Sequence, residues 1–216
     1  MTTHPIHRVT AGAAALDGDL TVPGGATGLV LFAHGSGSSR YSPRNRMVAS
    51  LMHERGLATL LADLLTSDEE VRDARTRDLR FDIGMLADRL IGLIDWAGGD
   101  PETRDLPIGL FGASTGAAAA LVAAAARPDE VHAVVSRGGR ADLAGPALVQ
   151  VAAPTLMLVG ERDVPVLELN EQARQAMTVT TQLTIIPGAG HLFEEEGALD
   201  TVAGEVGRWF TTYLAS

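Results

Sequence analysis

Apolar residues run along this chain in two patterns. The first is a set of short stretches with little polar interruption: Thr27–Ala33, 58–64, Leu106–Phe111, 131–136, Pro154–Gly160 and Gln182–Pro187. Their length and their content of Leu, Ile and Val predict strands buried on both faces. The second pattern has apolar positions at helical spacing. Its clearest case is 79–97, where Leu79, Phe81, Ile83, Leu86, Leu90, Leu93 and Ile94 fall largely on one face. Further helices are expected near 44–55, 117–126, 165–177 and 199–214. Residues 6–22 read as an antiparallel hairpin turning near Asp17-Gly18-Asp19. The densely charged stretch Thr66–Asp78 reads as a surface loop. Strand and helix alternate over most of the chain, which predicts an α/β protein with a mostly parallel central sheet covered by helices on both faces. The alanine-rich run 117–126 is expected to be a small-residue helix lying close to that sheet. No internal repeat and no linker marks a second domain, so residues 1–216 are read as one unit.

Several of the predicted strand ends carry candidate chemistry. Gly112-Ala113-Ser114-Thr115-Gly116 matches G-x-S-x-G and lies between a strand and a helix. A serine on such a turn is thrust out of the sheet, and the new helix aims N–H groups and a partial positive charge toward it. Glu161-Arg162-Asp163 follows the strand that ends at Gly160, and Gly188-Ala189-Gly190-His191 follows the strand 182–187. The chain order is therefore serine, acid, histidine, each just past the carboxyl end of a strand, and those ends share one edge of a parallel sheet. A serine hydroxyl needs a base to become a nucleophile; histidine titrates near neutral pH and can serve, and a carboxylate fixes its tautomer. Ser114 is assigned as nucleophile, His191 as base and Asp163 as the orienting acid, with Glu161 as the rival acid. A developing oxyanion also needs donors. The N–H of Thr115 is one. The other comes from the early loop His34-Gly35-Ser36-Gly37-Ser38-Ser39, where Ser36 is the chosen residue and Gly35 and Gly37 stay open because one residue of register decides. His34 itself is expected to pack or hydrogen-bond within its loop. Arg137 and Arg140 follow the strand 131–136, so one of them could reach a substrate carboxylate, although a surface or salt-bridged arginine is the plainer reading.

Composition narrows the classes. The formal net charge is −10, which disfavours nucleic acid and anionic membrane surfaces as partners. There are no cysteines, so disulfides, cysteine-bound zinc and a thiol nucleophile are excluded; this fits a reducing compartment, and a cytoplasmic location is expected. The N-terminus has no apolar core of the signal-peptide kind. Leu106–Ala126 carries no charge, but its Pro107, Gly109, Gly112 and Gly116 favour strand, turn and helix over a membrane span. None of the six histidines has metal-ligand spacing with another, so no catalytic metal and no cofactor are expected.

With these motifs in place, the chain resembles a compact α/β-hydrolase of the dienelactone-hydrolase-like type. The resemblance covers nearly all of the sequence: the His34-Gly35 loop, the Ser114 turn, the Asp163 loop and the His191 loop stand in family order. True dienelactone hydrolases use a cysteine at the position of Ser114. The resemblance implies the α/β-hydrolase fold and hydrolysis of small carboxylic esters through an acyl-serine. A thioesterase, lactonase or acyltransferase is compatible with the same residues, as is a non-catalytic ligand-binding protein of the same fold, and a homo-oligomer is compatible with all of them. The stretch from Gly139 to Thr155 is too short for a lid domain, so an open site is expected, with 66–78 available to rim it.

Overall fold

The computed structural model describes residues 2–11 and 14–214. Its strands are β1 (Thr2–Ala11), β2 (Ala14–Val22), β3 (Leu29–Ala33), β4 (Ala58–Ala62), β5 (Ile108–Ala113), β6 (Val131–Arg137), β7 (Thr155–Gly160) and β8 (Thr181–Ile186). Among the described residues they form one sheet in the order β1-β2-β4-β3-β5-β6-β7-β8. β2 pairs antiparallel with both β1 and β4, and every pair from β4 to β8 is parallel. β3, β5 and β7 are buried at every position, which is why they read as continuous apolar runs rather than as alternation.

The helices are α1 (Pro43–Glu54), α2 (Ser67–Thr76), α3 (Ile83–Gly99), α4 (Thr115–Ala126), α5 (Val164–Ala176) and α6 (Ala198–Leu214). α1 and α6 cover one face of the sheet around Phe32, Phe111, Phe193 and Phe210; α3, α4 and α5 cover the other. α4 is the alanine-rich helix. It is almost wholly buried, and its small side chains let it lie close to β5 and β6. Two successive 3-10 turns over Ala141–Gln150 fill the interval where a lid would be inserted, and they pack on α4 and α5.

Two expectations fail. Asp17-Gly18-Asp19 is not a turn: all three lie inside β2, where Gly18 pairs with His7 on one side and Ala62 on the other. Pairing with β4, distant in sequence, overrides the local Asp-Gly turn signal. The link between β1 and β2 falls outside the described residues. Likewise, 66–78 is mostly helix rather than loop. Thr66 accepts from the Glu69 N–H while the Glu69 carboxylate accepts from the Thr66 N–H, a reciprocal cap, and Asp68, Glu69 and Glu70 fill the positive first turn. α3 also starts later than its apolar stripe, at Ile83. Asp82 caps it, and Leu79–Phe81 form a separate 3-10 turn.

Candidate active site

The carboxyl ends of β3, β5, β6, β7 and β8 meet along one edge of the sheet, and the loops that leave them form the site. Ser114 ends the β5 turn with φ +52 and ψ −122, one of the few non-glycine residues in the left-handed region. Such strain persists only where surrounding contacts over-determine it. Here they are close: a Cβ on Gly116 would lie 2.3 Å from the Ala33 carbonyl oxygen, and one on Gly35 would lie 2.9 Å from the Ser114 Cβ. Glycine at both positions lets the β3 loop and the serine turn touch. Ser114 occupies the N-cap position of α4 without making a side-chain cap bond, so its hydroxyl is not consumed by the helix. Its backbone is tied to the next loop, with its N–H donating to the Arg137 carbonyl at 3.2 Å and its carbonyl accepting from Arg140 N–H at 3.0 Å.

Asp163 and His191 are brought together: His191 Nδ1 and Asp163 Oδ2 are 2.6 Å apart, with the imidazole 40% exposed and the carboxyl 13% exposed. Of the two candidate acids, Asp163 faces the histidine. Glu161 instead accepts from the Gly188 N–H at 2.7 Å, bracing the His191 loop from below. Glu195 braces it from the other end by accepting from Gly190 N–H at 2.9 Å, and buried Phe193 pins it to the core. The turn after β6 bridges the two halves, since a Cβ at Gly138 would stand 3.5 Å from His191 Cε1 while its neighbours bond to Ser114. Among the described residues no hydrogen bond joins Ser114 Oγ to His191. Such bonds are often open in a ligand-free site and close around substrate.

The loop after β3 folds over the start of α4. Ser38 N–H closes a turn on the Gly35 carbonyl at 3.1 Å, while the N–H groups of Ser36 and Thr115 have no partner among the described residues. Ser36 and Thr115 also touch through their hydroxyls at 3.0 Å, and Ser36 Oγ donates to the Arg80 carbonyl at 3.3 Å. The two N–H groups assigned from the sequence therefore lie on adjoining residues. A cavity of about 320 Å³ opens beside them, with Leu65, Asp73, Arg80 and Leu86 on its far side. The 66–82 segment is thus a wall of this cavity. Asp73 and Arg80 hold that wall together: Arg80 Nε donates to Asp73 at 2.6 Å and its backbone N–H at 3.0 Å. Burial works to raise the Asp73 carboxyl, but the two Arg80 bonds outweigh it and keep it below its usual range.

His34 has both ring nitrogens engaged by backbone groups. Its Nδ1 donates to the Gly35 carbonyl at 3.0 Å and its Nε2 accepts from Leu64 N–H at 3.1 Å. Burial pushes its pKa down, with the Gly35 bond and Asp63 offsetting part of the shift, so the ring is neutral. Sequence reasoning passed over Asn170. Fully buried on α5, it donates to the Gly139 carbonyl at 2.7 Å and fixes the turn after β6 from behind. A polar residue at an otherwise inward-facing helix position was the available signal.

Comparison with known proteins places this architecture. The profile of the dienelactone hydrolase family matches residues 20–207. The chain belongs to the dienelactone hydrolase family. A crystal structure of a dienelactone hydrolase from Anabaena variabilis superposes with a TM-score of 0.97 at 58% identity, covering 99% of this chain and 98% of that one. Est1E from Butyrivibrio proteoclasticus superposes with a TM-score of 0.82 over 99% of this chain and 100% of its own, at 16% identity, a likeness of fold. Proteins of two Mycobacterium tuberculosis strains, provisionally named phosphoribosyl transferases, are 55% identical over 96% of this chain. The chain spans about half the length of these curated relatives, 46% of each. This member of the dienelactone hydrolase family contains no cysteine, and the residue at its strand–helix turn is Ser114. Among the described residues no group of His, Asp and Glu could hold a metal ion, and no helix is long and apolar enough to cross a membrane.

Proposed function

We propose that this protein is a serine hydrolase of small carboxylic esters that works through an acyl-enzyme. The observation that carries the reading is the 2.6 Å His191–Asp163 pair at the same sheet edge as a serine on a strained strand–helix turn. Asp163 holds the Nδ1–H tautomer, which leaves Nε2 to take the Ser114 proton as the hydroxyl attacks the ester carbonyl. The oxyanion then accepts from the N–H groups of Thr115 and Ser36, the two donors left unpaired by the protein's own turns. Imidazolium returns the proton to the leaving alcohol. Water, activated by His191, releases the acid by the reverse path. No step requires a metal or cofactor. The partner is a small-molecule ester, and the net charge of −10 argues against nucleic acid or anionic membrane.

A lactone is an internal ester and meets the same atoms. The 58% identical neighbour named dienelactone hydrolase makes lactones the first alternative to try. We assign no phosphoribosyl transfer to this chain, which matches 46% of the relatives bearing that name. The test is turnover of short-chain 4-nitrophenyl esters and simple lactones in the presence of chelator. Turnover that survives chelation and vanishes in Ser114→Ala supports the reading. Equal turnover by Ser114→Ala removes it.

A further inference from the structure

Two arginines in this molecule are buried to nearly the same degree and are treated in opposite ways. Arg40, 8% exposed, is surrounded by carboxylates: it pairs with Asp63 and has Asp19 at 3.6 Å and Asp17 at 3.9 Å. Arg137, 9% exposed, faces none. Its guanidinium makes no hydrogen bond among the described residues, and its Nη1 is sealed from solvent without a partner. The charge that bears on it most is another cation, Arg44 in the first turn of α1, and its flat neighbour is the Phe111 ring with its centroid 5.8 Å away. Burial and Arg44 together pull Arg137 down to about 10, so it is still charged at neutral pH. The Nε of Arg44 is likewise buried and unpaired. Its Nη1 meets one carboxylate, Glu194 at 3.2 Å, which is 67% exposed. The first turn of α1 holds no acid. Arg140, the other arginine of this loop, is fully engaged by Asp142 through two bonds of 2.8 and 2.7 Å.

A buried cation without a counter-charge is costly, and the charge of Arg44, which is one-third exposed and held by Glu194, adds to that cost. The position is not arbitrary, because the Arg137 carbonyl accepts from the Ser114 N–H and a Cβ on the adjacent Gly138 would stand 3.5 Å from His191 Cε1. We propose that Arg137 and Arg44 form an oxoanion site beside Ser114, matched to a phosphate group. A guanidinium offers parallel N–H donors that fit the oxygen pairs of such a group. Two cations with one exposed carboxylate between them favour a doubly charged phosphate over a singly charged carboxylate. Carried on the substrate, the phosphate would select phosphorylated esters; free in solution, it would occupy the same two arginines. The substrate-borne form rests on the hydrolase reading above, whereas binding of the anion does not.

The test therefore begins without turnover. Thermal unfolding of the whole protein is followed with inorganic phosphate, with acetate and with chloride at matched ionic strength, for wild type, Arg137→Met and Arg44→Met. Phosphate should raise the melting temperature of wild type saturably, by about 3–5 °C at roughly tenfold excess over Kd. Acetate should do less, and both variants should lose the shift. Arg44→Met leaves β6 intact and keeps the test open should Arg137→Met fail to fold. A phosphate effect no larger than that of chloride, or one that persists in Arg44→Met, overturns the site, and a larger acetate effect overturns the preference for phosphate. The second arm compares kcat/KM for acetylated glycerol phosphate and for glycerol monoacetate. A preference of about tenfold or more that disappears in Arg44→Met places the phosphate on the substrate. A thermal shift without that preference supports the free anion and overturns the substrate-borne form. Absence of turnover on both esters with the thermal shift intact counts against the hydrolase reading and leaves the anion site standing.

Discussion

The two halves of the candidate site are built in different ways. The serine half is made of backbone. Ser114 is forced into a left-handed conformation, Gly116 lies against the Ala33 carbonyl, and the paired N–H donors come from main chain. The histidine half is made of side chains. His191 rides on an exposed loop, aimed by Asp163 and braced by Glu161 and Glu195. A backbone constellation is rigid and cannot be tuned residue by residue, whereas a side-chain constellation can turn. The missing Ser114–His191 bond lies at the seam between them, so the histidine half is expected to complete the site when substrate arrives.

The strongest break is Ser114→Ala, which leaves both frameworks standing and removes the proposed nucleophile. It should lower kcat by about 10⁴–10⁶ with unchanged thermal stability, read by ester turnover beside a melting curve. Asp163→Asn tests the other half. It should lower kcat by up to about 10⁴ through the wrong imidazole tautomer, while Glu161→Gln, which only loosens the Gly188 contact, should cost far less. A reversal of that order in side-by-side kinetics would make Glu161 the acid. Ser36→Ala probes the join between the serine half and the cavity wall. It removes the bonds to Thr115 and to the Arg80 carbonyl but leaves the Ser36 N–H, so kcat should fall by about tenfold with little change in KM.

The smallest effect is on stability. The pKa of His34 is lowered by folding, so the unfolded chain binds the proton more tightly. Its contribution is present above the unfolded value near 6.5 and is lost as pH falls toward the lower folded value. His53, also lowered by burial, adds with the same sign. The melting temperature should drop between pH 7 and pH 5, and by less in His34→Gln, where scanning calorimetry at both pH values gives the difference.

Much of this was legible in the sequence because it is encoded locally. The buried strands β3, β5 and β7 announce themselves as unbroken apolar runs, and strand–turn–helix around Ser114 follows from residues within a few positions of it. What was hidden depends on distant partners or on the absence of apolar signal. α2 has no apolar stripe: its buried position is Asp73, satisfied by Arg80, while Val71 points outward. The Thr66–Glu69 capping box was in the sequence and outweighed the charge that made the stretch look like a loop. Asp17-Gly18-Asp19 has turn chemistry, and only the pairing with β4 makes it strand. The choice between Asp163 and Glu161 turns on which carboxylate meets the His191 ring and which meets only the backbone of its loop. The difference between Arg137 and Arg140 turns on a single neighbour, Asp142.

The most direct measurement of the central claim is intact-mass labelling with a fluorophosphonate on wild type and on Ser114→Ala. Wild type should take one adduct, mapped to Ser114, and the variant none. A folded wild type that takes no label, or a variant labelled equally well, would contradict an activated Ser114.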